Sequence, residues 1–395
     1  MAVAPDERSV VLARTRALKM ARSVHAYVRG NTAQFYEWLE ASSIAASIPE
    51  GPTLWICGDC HLGNLGPVAD AEHRVDIQIR DLDQTVLANP AYDLIRLGLS
   101  LETAARSSDL PGVTTAKMIE AMIDGYRRAL TPTLKDDPRE PNVVRSVRRK
   151  AIGRRWRHLA KDRLEDVTPN IPHNKRFWKL SHAEADAIAT LFAQDPIRVR
   201  CRELAGVEGD GSVRVVDAAY WRKGCSSLGN LRFAVLVGIS SGKAKDERLA
   251  LVDIKEAVTS VVAPSSKAAM PADPAERVLM GAKALSPNLG HRMIAAQLMG
   301  KPVFLRELAP QDLKIEVEQF SRKEAIVAAS YLAFVVGQAH ARQLGDRERL
   351  AWRETLTSQD GNLEAPSWLF RAIVAMAGAH EIGYLEHCRR FALNR

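Results

Sequence analysis

The spacing of apolar residues predicts helices in the first part of the chain and short strands between them. Residues 8–46 contain few helix breakers, and 91–105 places its apolar side chains on one helical face. Segment 54–57 is an apolar run bounded by proline and glycine, and 75–79 alternates apolar with polar residues, so both predict strands. Residues 115–200 are typical of further helices.

The pattern changes near residue 207, where β-rich segments separated by turn residues begin. Strands are predicted over 212–219, 231–240, 249–254 and 303–307, and helices over 274–285, 290–299 and 321–343. This order predicts an α+β fold in which a small β-rich lobe is inserted into a mainly helical one. We expect a helical lobe over 1–206, the β-rich lobe over 207–310, and a return to the helical lobe over 311–395.

Composition and charge restrict the function classes. The chain has 395 residues, of which 46% are hydrophobic, and a formal net charge of +8, which favours anionic partners. No apolar run approaches the ~18 residues that a membrane span requires, and the N-terminus lacks the apolar core of a secretory signal. Five scattered cysteines do not form a disulfide framework. We therefore expect a cytoplasmic protein without a membrane segment.

The acidic residues that follow the first two strands are the strongest candidates for chemistry. Asp59 and Asn64 lie five positions apart after one strand, and Asp81 and Asp83 follow the next. A hairpin of the two strands would bring Asp59, Asn64 and Asp81 to one edge. Oxygen ligands of this kind suit Mg²⁺ with a phosphate-bearing substrate, and the remaining carboxylate could accept a proton from an attacking hydroxyl. The alternative is that these residues only form turns.

The β-rich lobe contains groups that could bind phosphate. A turn with glycines at Gly224 and Gly229 lies between two strands, and Lys255 ends the next strand. Backbone N–H groups of such a turn can approach phosphates, and a lysine on a strand can neutralise them. Glu276, in the first turn of the following helix, could pair with Lys255 or could simply be an acid favoured by the helix dipole.

With these residues assembled, the chain resembles the protein-kinase-like superfamily, nearest its aminoglycoside and choline phosphotransferases. The sequence G-D-C-H-L-G-N from Gly58 is similar to the catalytic loop of that branch, and R-D-L-D from Arg80 to its metal-binding segment. The chain is more closely similar to a bacterial family, domain of unknown function 2252. The matching segments are 27–30, 58–66, 81–83, 224–232, 254–257, 276–278, 304–308 and 339–342.

The order of these segments differs from that of an ordinary kinase. A kinase runs from the glycine-rich loop and lysine to the catalytic loop, whereas here the catalytic loop comes first, at 58–64, and the glycine turn and Lys255 follow. The helix ending near residue 342 resembles the one that normally precedes the catalytic loop. The resemblance therefore implies a bilobal protein-kinase-like fold that is circularly permuted.

The resemblance also implies roles for individual residues and two cofactors, ATP and Mg²⁺. Asp59 would be the catalytic base, Asn64 and Asp81 would hold Mg²⁺, and Asp93 would brace the loop. Asp83 would be a second metal ligand or a cap. The remaining candidates would bind the nucleotide: Lys255 and Glu276 at the α/β phosphates, Gly224, Ser226, Ser227 and Gly229 over the phosphates, and Arg306, Glu307 and Leu308 at the adenine hinge.

These inferences predict an ATP- and Mg²⁺-dependent phosphotransferase that moves the γ-phosphoryl group to a hydroxyl of a small-molecule acceptor. The same fold could instead serve adenylyl transfer, ATP-driven carboxylate activation and amide ligation, or non-catalytic nucleotide binding. Zinc or redox chemistry at Cys57 and Cys60 ranks lower because no second ligand pair is present. We interpret the basic run 145–163 as a solvent-facing helix or an anion-attracting rim, and we expect no nucleic-acid partner.

Overall fold

The fold is mixed α+β, as the sequence predicts. The computed structural model describes residues 3–133, 138–156, 158–160, 170–207, 211–225, 228–240, 247–266, 268–313, 321–356 and 366–391. The N-terminal region contains helices α1 (Arg8–Met20), α2 (Val24–Gly30) and α3 (Thr32–Ala41). Ser23 caps α2, because its side chain accepts a hydrogen bond from the backbone N–H of Ala26.

Four short strands follow: β1 (Leu54–Ile56), β2 (Leu65–Ala69), β3 (Val75–Ile79) and β4 (Val86–Ala88). The predicted hairpin of 54–57 with 75–79 is wrong, because β2 pairs with β3 through a short turn and β1 pairs with β4. Strand β1 precedes the two acidic segments and β4 follows them, whereas β2 and β3 both lie between the segments. The loops β1–β2 and β3–β4 consequently run side by side, and this arrangement still brings the acidic residues together.

The main hydrophobic core lies between helices and these small sheets. Its helices include α4 (Ala91–Ser107), α5 (Gly112–Ala129) and the long α11 (Arg322–Ala341), which follows Ser321 in a capping box. Helix α11 lies close enough to α5 for Gly125 to face the Ser330 carbonyl and for Gly337 to contact Ala129. By length and composition α11 could cross a membrane, but 67% of its most apolar window is buried, as in a core helix.

The second half of the chain builds a six-stranded antiparallel sheet in the order β5-β6-β7-β8-β10-β9. Its strands are β5 (Phe177–Trp178), β6 (Ser212–Trp221), β7 (Arg232–Ser240), β8 (Arg248–Glu256), β9 (Met293–Leu298) and β10 (Lys301–Glu307). One face of the sheet packs against α7 (His182–Ala193) and α8 (Asp195–Leu204), through a cluster that includes Phe192 and Val235. The sheet core therefore includes helices that precede residue 207.

The helix predicted over 290–299 is wrong, because this segment forms strand β9. Met299 and Gly300 both have positive φ, 54° and 72°, and form a two-residue turn that pairs Leu298 with Lys301. The apolar residues of β9 alone do not distinguish a strand from a buried helix. The Met299–Gly300 turn, which pairs this segment with β10, therefore favours a strand over a helix.

The remaining helices connect and flank these units. They are α6 (Asn142–Ile152), α9 (Pro274–Leu285), α10 (Pro287–Gly290), α12 (Asp346–Thr355) and α13 (Ser367–Phe391). Helix α9 begins where the sequence predicts, because Asp273 accepts hydrogen bonds from Ala275 and Glu276 and Pro274 occupies the first helical position. Helix α9 connects β8 with β9 and lies next to the loop that follows β3.

Candidate functional site

A glycine with positive φ and hydrogen bonds from neighbouring segments fix the conformation of the loop between β1 and β2. Gly58 has a φ of 74°, and a Cβ atom there would collide with the Gln84 carbonyl oxygen of the neighbouring loop. The Tyr36 hydroxyl donates to the Gly58 carbonyl at 2.7 Å. Further along, the backbone N–H of Arg80 donates to the Asn64 carbonyl at 2.7 Å, which joins the two loops.

Asp93 braces this loop, as the sequence predicts. Its fully buried carboxylate accepts the backbone N–H groups of Cys57 at 2.7 Å and Gly58 at 3.0 Å. His340 on α11 lies 3.2 Å away from the same carboxylate, and its other ring nitrogen is 2.8 Å from the Tyr126 hydroxyl. Asp93 and His340 thus join buried polar groups of the β1–β2 loop, α4, α11 and α5 in one hydrogen-bonded network.

We expect Asp93→Asn to lower the free energy of unfolding by about 2–4 kcal/mol, because an amide NH₂ would face one of the two buried N–H groups. Urea unfolding would measure the change. Asp124→Asn, the same substitution at an exposed position on α5, should stay within about 0.5 kcal/mol of the wild type. An Asp93→Asn midpoint equal to that of the control would show that the bracing contributes little.

Asp59 lies at the base of a cleft and contacts a buried cation. Arg96 on α4, which is fully buried, donates through Nε to the Asp59 Oδ1 atom at 3.0 Å. Burial raises the pKa of Asp59, and the Arg96 guanidinium only partly offsets this effect. The sequence analysis missed Arg96, although a basic residue on the apolar face of the predicted helix 91–105 was a usable signal.

Side chains from the two halves of the chain meet across the cleft, as predicted for Asp81 and Lys255. The Lys255 Nζ atom lies 3.3 Å from Asp81 Oδ1 and 2.5 Å from Asp83 Oδ2. Burial alone would lower the pKa of Lys255, but the two carboxylates outweigh burial and raise it. Burial and then the charge of Asp81 raise the pKa of Asp83. Lys255 is therefore a buried ammonium whose charge is balanced by the metal-binding candidates.

The side-chain oxygen atoms near Lys255 are of the kind that magnesium ions prefer as ligands. Asn64 donates through Nδ2 to the Asp59 carbonyl at 2.9 Å, which leaves its Oδ1 atom available as a ligand beside Asp81 and Asp83. In the described part of the chain, no group of three or more His, Cys, Asp or Glu side chains could hold a metal ion by itself. Two carboxylates and one amide oxygen, completed by phosphate and water, form a typical Mg²⁺ environment.

The first residue of the glycine turn, Gly224, lies at the cleft. Gly224 has a φ of 99° and Gly229 a φ of 114°, and the Gly224 carbonyl accepts a hydrogen bond from Lys19 Nζ at 2.8 Å. Gly224 lines the same cleft as Asp59 and Lys255. The predicted phosphate contacts of Ser226 and Ser227 lie outside the described residues.

Of the two alternatives for Glu276, the pairing with Lys255 is not formed. Glu276 is exposed in the first turn of α9, where its backbone N–H is capped by Asp273. The neighbouring Arg277 is buried instead and donates to the carbonyls of Asp83 and Val258, each at 2.8 Å, and to that of Thr85. Helix α9 therefore supports the β3–β4 loop through Arg277, one position after the predicted residue.

The predicted adenine hinge is only partly in the cleft. Arg306 lines the cleft and donates to the Arg80 carbonyl at 2.8 Å. Glu307 points to the opposite face of the sheet because side chains alternate along β10, and it lines an apolar pocket beside Cys201. Leu308 is buried, and its backbone N–H already donates to the Leu251 carbonyl at 2.9 Å. Glu307 and Leu308 thus do not line an adenine slot.

An ion pair that the sequence analysis missed lies on the cleft face of the sheet. Arg232 on β7 donates to both carboxylate oxygens of Asp253 on β8, at 2.9 and 2.5 Å. Burial opposes ionisation, but Arg232 lowers the pKa of Asp253 to about 2, so both groups are charged. An aspartate two positions before Lys255 in an apolar strand was the available signal.

The cleft is strongly basic. It has a volume of about 410 Å³, and the described side chains that line it include eight lysines and arginines but three carboxylates. A second chamber of about 230 Å³ adjoins it, and Asp59, Asn64 and Asp81 line both cavities. Its lining includes the apolar side chains of Val258 and Phe304. The acidic centre therefore lies between the basic cavity and a smaller one whose described lining includes four carboxylates and one arginine.

Comparisons with known proteins identify a family. No curated protein and no solved structure showed significant similarity to the chain. The family described as "Uncharacterized protein conserved in bacteria (DUF2252)" matches residues 8–390, which is nearly the whole chain. The relationship to this family that the sequence motifs predict is thus confirmed. The chain belongs to the DUF2252 family.

Proposed function

We propose that the protein is an ATP- and Mg²⁺-dependent phosphotransferase that moves the γ-phosphoryl group to a hydroxyl of a small-molecule acceptor. The observation that carries this proposal is the convergence of Lys255 with Asp81 and Asp83 in the cleft that also contains Asp59 and Asn64. A metal ion held by oxygen ligands, a lysine for phosphate and a carboxylate outside the set of metal ligands are the parts that phosphoryl transfer needs.

Each residue would have a distinct task in this reaction. Asn64 and Asp81 would hold Mg²⁺, which supplies charge neutralisation for the phosphates, and Asp83 would share that role. Lys255 would exchange its carboxylate partners for phosphate oxygens when the metal binds. Asp59, whose pKa is raised by burial, would orient the acceptor hydroxyl and accept its proton.

We also propose that the fold is a circularly permuted, bilobal kinase-like fold. The C-terminal end of α11 lies against β1, because the Gln343 side chain accepts from the Trp55 N–H at 2.8 Å and donates to the Trp55 carbonyl at 3.0 Å. A helix that would lead into the catalytic loop of an unpermuted kinase therefore ends beside the strand before that loop. The glycine turn, Lys255, α9 and β10 also follow in kinase order.

Mg-ATP is expected to stabilise the folded protein. Ligand at a hundred times its dissociation constant contributes about 2.7 kcal/mol, so the melting temperature should rise in a thermal-shift assay with ATP and Mg²⁺. The rise should shrink with EDTA and in Asp81→Asn, which loses a charged metal ligand. The absence of a shift with ATP and with GTP would contradict nucleotide binding.

Adenylyl transfer is a second candidate, and a specific observation favours it. The Leu308 N–H is already bonded and the cleft carries the Arg232–Asp253 ion pair, whereas the wall of the adjoining chamber includes the apolar side chains of Val258 and Phe304. A nucleoside in that chamber would place the α-phosphate nearest the metal ligands. The product mass distinguishes the two reactions, because phosphoryl transfer adds a phosphate and adenylyl transfer adds AMP.

A further inference from the structure

Three basic residues from the N-terminal helices form one wall of the cleft. Lys19 lies in the last turn of α1, Arg22 follows α1, and Arg29 lies in the last turn of α2. All three line the 410 Å³ cavity, and we call them the basic wall. Basic side chains near helix C-termini are favoured by the helix dipole. They come from a part of the chain that contributes none of the proposed nucleotide contacts.

The charge of the basic wall is not neutralised by the described part of the protein. Three of the other cleft cations have carboxylate partners: Lys255 pairs with Asp81 and Asp83, Arg232 with Asp253, and Arg306 with Asp312. Within the described ranges no carboxylate forms an ion pair with a residue of the basic wall. Burial lowers the pKa of Lys19, which an anionic ligand would reverse.

Arg29 places its positive charge next to the proposed metal ligand Asn64. Its guanidinium lies over Gly63 of the β1–β2 loop, where a Cβ atom would be 3.0 Å from Arg29 Cζ. Gly63 directly precedes the proposed metal ligand Asn64. The Arg29 Nε atom is buried, and it has no hydrogen-bond partner among the described residues. The guanidinium as a whole is only partly buried, and an anion next to the loop would offset its charge.

We propose that the acceptor carries a phosphate group, which the basic wall binds while its hydroxyl faces Asp59. This proposal rests on the proposed phosphotransferase function and names the acceptor class. Two guanidinium forks and an ammonium match the several oxygens of a phosphate. A cationic acceptor, such as an aminoglycoside or choline, would be repelled by the same wall.

Inorganic phosphate is the probe, and the full-length protein saturated with Mg²⁺ and a non-hydrolysable ATP analogue is the receptor. We expect saturable phosphate binding in calorimetry or thermal shift, beyond the effect of chloride at equal ionic strength. Arg22→Ala and Arg29→Ala should each weaken phosphate binding about tenfold, while affinity for the ATP analogue changes less than threefold. Arg14→Ala, an exposed position on α1 outside the cleft, should leave both affinities unchanged.

The outcomes separate this inference from the proposed function. Phosphate binding without nucleotide binding would support the anion site and refute the phosphotransferase. Nucleotide binding without phosphate binding would refute the acceptor class alone. Competition between phosphate and the ATP analogue would also overturn the acceptor assignment, because the basic wall would then hold the nucleotide's own phosphates. Because Arg22 is exposed, its variant keeps the test valid if Arg29→Ala perturbs the loop.

Discussion

Asp59→Asn is expected to lower the rate of transfer about 10³-fold while nucleotide affinity stays within about threefold. The amide has the size of the carboxyl group but cannot accept the proton of the acceptor hydroxyl, and a general base contributes about 10²–10⁴-fold. The measurement is ATP turnover and product formation with purified variant protein. Asp59 does not belong to the proposed metal ligands, so Mg-ATP should still raise the melting temperature.

The substitution also leaves the buried Arg96 without its carboxylate partner. Removing one member of a buried ion pair can cost about 3–5 kcal/mol, so the fraction of folded protein must be measured with the activity. Asp186→Asn, an exposed position on α7, is the matched control and should retain full turnover. Turnover by folded Asp59→Asn at more than a tenth of the wild-type rate would remove Asp59 from the catalytic role.

Lys255→Met should lower turnover about 10²–10³-fold. Methionine keeps most of the apolar stem of the side chain but removes the charge that would stabilise the transferring phosphates, and such electrostatic contributions are worth factors of this size. Nucleotide affinity should also fall, by about tenfold. Steady-state turnover and calorimetric titration of the Mg-ATP analogue would measure the two effects separately.

The control for this variant is Lys283→Met on α9, an exposed lysine outside the cleft, which should behave as wild type. Unchanged turnover in Lys255→Met would show that the contacts with Asp81 and Asp83 are structural only. A loss of stability without any loss of rate per folded molecule would lead to the same conclusion.

The predictions from sequence were most successful where a local pattern sufficed. The boundaries of α9 were predicted correctly because Asp273 and Pro274 are strong helix-start signals. Strand β9 was missed because its apolar residues fit both a helix and a strand, and the deciding turn has an unusual Met299 with positive φ. Local preferences are overridden in such cases by pairing with a neighbouring strand.

The candidate site shows the same division. Asp59, Asn64, Asp81 and Lys255 were identified by motif, and the structure brings them to one cleft. The two arginines that position these residues, Arg96 and Arg277, were not identified from sequence. Both act through contacts with residues that are distant along the chain. The motif indicated Glu276 because it locates the helix turn but not which side chain of that turn faces inward.

The sequence by itself determined the family, the mixed α+β composition and the acidic segments with their lysine, since these depend on residue types at short spacing. Tertiary structure alone decided three further features: the pairing of β1 with β4, the exclusion of Glu307 and Leu308 from the cleft, and the position of the basic wall beside the β1–β2 loop. Strand register and helix packing set which side chains share a cavity, and both are properties of the whole chain that no local spacing records.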